Sequence, residues 1–170
     1  MNIKISADST CDLSPELVER YRIGIAPLYI VRDGESLVDG VDITPDEIYD
    51  HVAKGGRCSS VAALGANMLS LRPCIQVKDG KMGVGKKYRG AYQKCLLQYV
   101  KDRLEGRDDI DLRRIFITES GGFTPEEVAE VEAAVRSYQP FEEVLHTRAG
   151  CTVSSHCGPR TLGILYFHTK

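Results

Sequence analysis

The sequence predicts an α/β protein, and two features of the 170-residue chain support this class. Segments with strand-like patterns alternate with helical ones, which is typical of sheets layered with helices. Residues from about 72 onward supply four or more strands and two full helices. Residues before that point supply only two strands and two short helices, a poor sheet by themselves. We therefore expect a complete C-terminal α/β portion with a mixed sheet and a reduced N-terminal portion.

The composition is that of an ordinary globular chain. Apolar residues make up 42%, charged residues 27%, and the formal net charge is −2, so no general attraction to nucleic acid or to an anionic membrane is expected. No apolar run approaches the roughly 20 residues that a membrane span needs, and the N-terminus lacks a signal-peptide pattern. The six cysteines form no Cys-x-x-Cys pair, which favours reduced thiols. We expect a cytoplasmic protein without a cofactor.

The N-terminal portion is predicted to contain two strands and two helices. Residues 3–7 alternate like a strand, and Ser14 precedes Pro15 as a helix cap, with the helix ending near residue 21. Residues 24–31 form the second strand, in which Pro27 indicates an edge or a bulge. Thr44 and Glu47 have the spacing of a capping box that begins a helix ending near residue 53.

The C-terminal portion is predicted to contain a hairpin, helices and further strands. Asp79-Gly80 is the pair that a type I′ turn prefers, so it marks the hairpin. Thr124 and Glu127 have capping-box spacing at the start of another helix. The predicted elements are a buried helix over 61–71, hairpin strands over 73–77 and 81–84, a helix over 90–104, a strand over 115–118, a helix over 125–138 and a strand over 141–147.

The densest group of chemically useful side chains lies in the last twenty residues. Residues 151–157 alternate, Gly158-Pro159 interrupts the pattern, and residues 162–167 form an apolar run. This pattern predicts two strands around a tight connection. At the connection lie His156, two flanking cysteines, two serines and an arginine.

Several chemical readings of these residues remain open. A small hydrolase or phosphatase could use Asp8, at the end of the first strand, or a Cys/His pair around His156. Asp8 fits a loop-and-cap role better, because the usual D-x-D-x-T spacing is missing. The cysteines and histidines near the C-terminus lack a standard zinc spacing, so we expect no metal site.

Four segments together resemble the DegV family of fatty-acid-binding proteins. Residues 8–13 (D-S-T-C-D-L) and 39–44 (D-G-V-D-I-T) resemble motifs near the start of the family's chain. Residues 155–159 (S-H-C-G-P) resemble its terminal motif, with Arg160 where a glycine is usual, and residues 73–90 resemble its hairpin and basic loop. Each motif is weak, but the joint pattern covers nearly the whole chain.

The resemblance implies a carrier and not an enzyme. Family members are two-domain α/β proteins that hold one long-chain fatty acid between the domains, and some present it to a fatty acid kinase. The counterpart of His156 faces the fatty-acid carboxyl group. Arg89 matches the basic loop after the hairpin, and a guanidinium suits carboxylate recognition. Arg57 and Ser59, at a predicted helix start, would add an anion-binding group of backbone amides.

The chain also departs from the family. It lacks the Thr-Ser-x-Pro segment and the serine/glycine loop that hold the carboxylate, together with the elements between them. Lys54-Gly55-Gly56-Arg57 fits both the end of the family's early helix and the start of a late one. We therefore expect a junction here, with residues 1–56 as a remnant of the N-terminal domain and 57–170 as the C-terminal domain. Fatty-acid binding should be impaired, and an alternative is a remnant that binds no ligand and self-associates through its exposed N-terminal portion.

Overall fold

The computed structural model describes residues 3–55, 71–78 and 80–169, and these residues form nine strands and five α-helices. The strands are β1 (Ser6–Asp8), β2 (Gly24–Ala26), β3 (Tyr29–Arg32), β4 (Glu35–Val38), β5 (Leu71–Lys78), β6 (Lys81–Arg89), β7 (Arg114–Glu119), β8 (Glu143–Arg148) and β9 (Leu162–Leu165). The helices are α1 (Pro15–Arg20), α2 (Pro45–Gly55), α3 (Tyr92–Leu104), α4 (Pro125–Tyr138) and α5 (Cys151–Cys157). A 3-10 turn covers Ser9–Cys11.

The strands form three pairs and one three-stranded sheet. Strands β1 and β2 pair in parallel, whereas β3–β4 and β5–β6 are antiparallel hairpins. The larger sheet has the order β8-β7-β9, and β7 runs antiparallel to β9. The Glu143 amide donates to Arg113 and the Ala149 amide to Glu119, so β8 advances in the same direction as β7. The predicted α/β class with a mixed sheet is confirmed.

Contacts divide the chain into two compact units that do not follow a single cut in the sequence. The first combines the described residues before 56 with residues 116–123 and 145–165. The second contains the described part of 71–115 together with residues 124–144 and 166–169. This grouping differs from the boundary at residue 56, because segments from the C-terminal half pack with N-terminal ones. The boundary as a statement about family domains remains a prediction.

The core of the first unit joins the start of the chain to its end. Ile43, Ile48 and Cys151 are buried together, and the partly buried Ile30 and Leu37 of the β3–β4 hairpin pack against them. Thus α2 and α5, which are about 100 residues apart in sequence, share one apolar cluster. This cluster holds α5 in place.

The second unit is organised by α3 and α4, which pack together. Leu96, Val100 and Leu104 recur every four residues along α3 and are buried, as an amphipathic helix requires. Val131 and Val135 repeat the spacing on α4. Thr124 and Glu127 form the predicted capping box at the start of α4. No helix among the described residues is long and apolar enough to cross a membrane.

Four local predictions need correction or lie outside the described residues. The segment 151–157 is the helix α5, so the prediction of two strands around Gly158 is wrong for the first of them. The single strand over 24–31 is also wrong, because the chain breaks around Pro27 into β2 and β3, which belong to different sheets. The strand over 3–7 shortens and shifts to Ser6–Asp8. The predicted helix over 61–71 lies almost entirely outside the described residues.

Candidate functional site

His156 lies in the last turn of α5, and its side chain is exposed. Gly150 precedes the helix, and Gly158, with a φ of 73°, ends it. The imidazole therefore lies at the exposed C-terminal end of a seven-residue helix.

Asp39 anchors the beginning of α5. Its carboxylate accepts hydrogen bonds from the Cys151 amide at 3.0 Å and from the Thr152 hydroxyl at 3.1 Å. The Ser9 hydroxyl donates to the same carboxylate at 2.9 Å. Asp39 is buried, so these donors replace the water that a carboxylate would otherwise bind. A negatively charged side chain at a helix N-terminus also interacts favourably with the positive end of the helix dipole.

Asp12, in the segment 8–13, also holds the N-terminal end of α5. Its Oδ1 accepts the Gly150 amide at 2.8 Å. A Cβ atom at position 150 would lie 3.2 Å from the Ser9 carbonyl oxygen, so glycine permits this close approach. The two motifs predicted near the start of the chain, 8–13 and 39–44, therefore meet at the helix that carries His156.

The two carboxyl groups titrate in opposite directions. Burial would raise the pKa of Asp39, but the hydrogen bonds from Cys151, Ser9 and Thr152 outweigh it and hold the pKa below its usual value. Burial raises the pKa of Asp12, because fewer donors offset it. The fold therefore stabilises the carboxylate form of Asp39, and Asp39 is the main charged anchor of α5.

Ser120, at the end of β7, fixes the chain just after α5. This buried hydroxyl donates to the Gly158 carbonyl at 2.7 Å and accepts the Thr161 amide at 2.9 Å. The Tyr49 hydroxyl of α2 donates to the Ser120 carbonyl at 2.6 Å. Both ends of α5 are consequently held by side chains from distant segments.

Arg160 occupies the position where the resemblance expects glycine. Its φ is 57°, in the left-handed region that glycine adopts more easily than other residues. The guanidinium lies 5.0 Å from the Phe123 ring centroid and donates to the Gly122 carbonyl. These contacts offset part of the conformational strain.

The side chains proposed for hydrolysis are poorly suited to it. Burial and the adjacent Asp39 carboxylate together raise the pKa of the Cys151 thiol to about 12. Burial also raises the pKa of Cys157, so neither thiol forms a thiolate readily at neutral pH. The Asp8 carboxylate accepts the Thr10 amide at 2.9 Å, which is the expected capping role. Among the described residues, no cluster of ligands could hold a metal ion.

The other predicted site residues lie elsewhere. Arg89 is exposed at the end of β6 and belongs to the second unit, whereas His156 belongs to the first. Arg57 and Ser59 lie outside the described residues. The carboxylate-binding set of His156, Arg89, Arg57 and Ser59 therefore remains a prediction.

Sequence reasoning missed the residues that hold α5. The acidic positions of the two front motifs were visible, but no local pattern links them to a segment more than 100 residues away. The residues that it missed are Ser9, Asp12, Asp39, Tyr49 and Ser120. The sequence signal that could have found them is the presence of both front motifs, 8–13 and 39–44, in the same chain as the terminal motif 155–159.

Comparison with known proteins first defines the class of fold. A solved structure titled as fatty acid binding of a DegV family protein from Thermus thermophilus superposes with a TM-score of 0.76. The superposition covers 99% of this chain and 100% of that one at 19% identity, so the likeness is one of fold. The Streptococcus pneumoniae Fatty Acid Kinase B3 protein, loaded with linoleic acid, matches at TM-score 0.50 and 17% identity over 71% of this chain and 41% of that one.

The family follows from the sequence match. The family model described as "Uncharacterised protein, DegV family" matches residues 2–54 and 49–169. The chain belongs to the DegV family. A DegV domain-containing protein of Caldanaerobacter subterraneus is 27% identical over 118 residues, which are 69% of this chain and 41% of that protein. The aligned part thus spans about two fifths of that relative.

Proposed function

We propose that this chain is a DegV-type fatty-acid carrier, not an enzyme, that holds a fatty-acid carboxyl group and presents it to a fatty acid kinase. His156 and Arg89 would hold the carboxylate, with Arg57 and Ser59 in support. An imidazole can donate a hydrogen bond to a carboxylate, and a guanidinium can donate two. Binding by this shortened chain would be weak.

One observation carries the proposal most directly. Both front motifs of the family converge on the helix that carries His156, through the Asp12 and Asp39 carboxylates. The chain therefore keeps the support of that histidine, although it spans only part of its relatives' length. Related structures are titled for fatty-acid binding, which points to the same ligand class for this chain.

The expected weakness of binding follows from the missing segment. The family model matches in two pieces, 2–54 and 49–169, which overlap at residues 49–54. Such an overlap is expected if this segment resembles two separate helix ends of the longer proteins. This supports a junction near Lys54-Gly56. A fatty acid needs a deep apolar tunnel, because each buried methylene contributes about 0.8 kcal/mol. Loss of tunnel walls therefore weakens binding more than loss of a single polar contact.

Calorimetric titration with palmitate and oleate tests the carrier function, with native mass spectrometry for stoichiometry. We expect one fatty acid per chain at tens of micromolar or weaker, and about tenfold weaker binding for His156→Ala because a hydrogen bond to a charged group is lost. His146→Ala is the matched control, since His146 is also exposed but lies on β8.

Two outcomes would contradict the proposal. Stoichiometric binding below one micromolar would show that the shortened chain is not impaired. No binding at millimolar ligand, or equal losses for both histidine variants, would remove the carrier function from this site.

Self-association through the N-terminal portion is the second candidate. Ile3, Ile5 and Val31 are exposed there, and the three-residue parallel pair β1–β2 offers unpaired edges among the described residues. Parallel pairs are normally covered on both faces. Light scattering at several concentrations should show a dimer if this surface is used; a monomer at all concentrations would exclude it.

A further inference from the structure

The β5–β6 hairpin has one covered face and one face open to solvent. On the covered face, Tyr88 is buried and its hydroxyl donates to Asp102 of α3 at 2.7 Å. The Arg72 guanidinium lies 5.2 Å from the ring centroid of Tyr92, also on α3. Side chains alternate between the faces of a strand, so Ile75 and Val77 project to the opposite side.

The open face is an apolar strip. The pairing shifts between Pro73 and Ile75, so β6 changes face between Tyr88 and Val84. Ile75 pairs with Val84 and Val77 with Met82, and these four side chains are neighbours on one face. Their exposed fractions are 41%, 40%, 68% and 74% respectively. Single exposed apolar residues are normal on a protein surface, but four adjacent ones with these exposures indicate an interaction surface. We call these four residues the apolar strip.

Cations flank the apolar strip at both ends. Lys87 and Arg89 lie at the base of β6, opposite Pro73 and Leu71, and both are exposed. Lys81 is exposed at the turn. Residues 71–89 contain six lysines and arginines and one aspartate, a net charge of +5 in a chain whose net charge is −2. The positive charge is therefore concentrated on this hairpin.

We propose that the apolar strip and its flanking cations dock this chain on the surface of an anionic lipid bilayer. Apolar side chains that enter the interface, bordered by lysine and arginine, are the combination that binds anionic membranes peripherally. A second copy seated on the same strip would bring two sets of the exposed cations Lys81, Lys87 and Arg89 together, which is unfavourable. Arg89 belongs both to this surface and to the proposed carboxylate-binding set, so docking is tested without fatty acid and with variants outside that set.

Vesicle co-sedimentation without fatty acid tests this docking. At low ionic strength, we expect the protein to bind vesicles containing phosphatidylglycerol at least about tenfold more tightly than pure phosphatidylcholine vesicles, because each cation near the surface adds to the attraction. Added salt should reduce the binding by screening.

Paired variants separate the two contributions. Val77→Ser/Met82→Ser should weaken binding about tenfold by removing apolar area, and Lys81→Gln/Lys87→Gln should weaken it by a similar factor. Val41→Ser, at an equally exposed valine of the first unit, and Lys94→Gln, on α3, are controls that should stay within about twofold of the parent. Thermal unfolding by circular dichroism checks that each variant is folded.

Three results would overturn the proposal. One is the absence of vesicle binding at low salt. Another is an equal loss of binding in the control variants. The third is a dimer, seen by analytical ultracentrifugation, that Val77→Ser/Met82→Ser abolishes, since a second copy would then occupy the apolar strip. The fatty-acid titration is a separate measurement, so failure here leaves the carrier proposal standing.

Discussion

Asp39 and Asp12 hold the same helix terminus, but they contribute differently to stability. Asp39 has a lowered pKa, so its stabilisation is present above the unfolded value of 3.8 and is lost as pH falls below it. Asp39→Asn places an amide N–H₂ against the Ser9 and Thr152 hydroxyls and the Cys151 amide, which all donate to the carboxylate. We expect a loss of about 2 kcal/mol in unfolding free energy at pH 7, and a smaller loss below pH 4. Urea denaturation at several pH values measures both.

Asp12→Asn is the matched control at the same helix end. Its amide oxygen can still accept the Gly150 amide. Burial raises the pKa of Asp12, so its charged form is disfavoured in the folded state and stability is lost as pH rises through that pKa. We expect a change of less than about 1 kcal/mol at pH 7. A larger loss for Asp12→Asn than for Asp39→Asn would contradict the assignment of Asp39 as the main anchor.

Arg160 offers a second test at the residue scale. Arg160→Gly and Arg160→Ala both lose the contacts with Phe123 and Gly122, but only glycine relieves the left-handed backbone. The glycine variant should be more stable than the alanine variant by about 1 kcal/mol. Thermal unfolding gives this difference directly, and equal midpoints would show that residue 160 carries no strain.

At the scale of an element, α4 and α1 show what a complete cap contributes. Both follow a Ser/Thr-Pro start, but the Thr124 side chain accepts the Glu127 amide, whereas Ser14 makes no such cap bond. We expect Thr124→Ala to lower the unfolding free energy by about 1 kcal/mol and Thr124→Ser to restore most of it. Ser14→Ala should have a smaller effect. The comparison fails if Ser14→Ala is the more damaging change in urea denaturation.

The same contrast explains which elements sequence patterns could predict. The capping box of α4, the Asp-Gly hairpin and the four-residue repeat of α3 are local signals, and each was predicted. The helix α5 was not, because its seven residues are rich in Thr, Val, Ser and Cys, which carry weak helix propensity. Its stability comes from Asp12, Asp39 and the buried Cys151, which are tertiary contacts.

For the whole molecule, the two compact units predict separate responses to core mutations. Ile43 is buried in the cluster with Cys151, and Val131 is buried on α4 of the second unit. Ile43→Ala should lower amide-exchange protection in α2 and α5 but not in α3, with a loss of about 2–5 kcal/mol in the first unit. Val131→Ala should act on α3 and α4 instead. Uniform loss of protection in either variant would mean that the chain opens as one cooperative body.

By itself, the sequence determined the α/β class, the capped starts of α2 and α4, the β5–β6 hairpin and membership in the DegV family. These follow from local periodicity, turn chemistry and motifs, each of which needs only neighbouring residues. Only the tertiary structure decided that the C-terminal segment forms α5, that both front motifs anchor this helix, and that the hairpin leaves an apolar strip open. Those features depend on residues about 100 positions apart and on which faces are buried, and no local pattern contains that information.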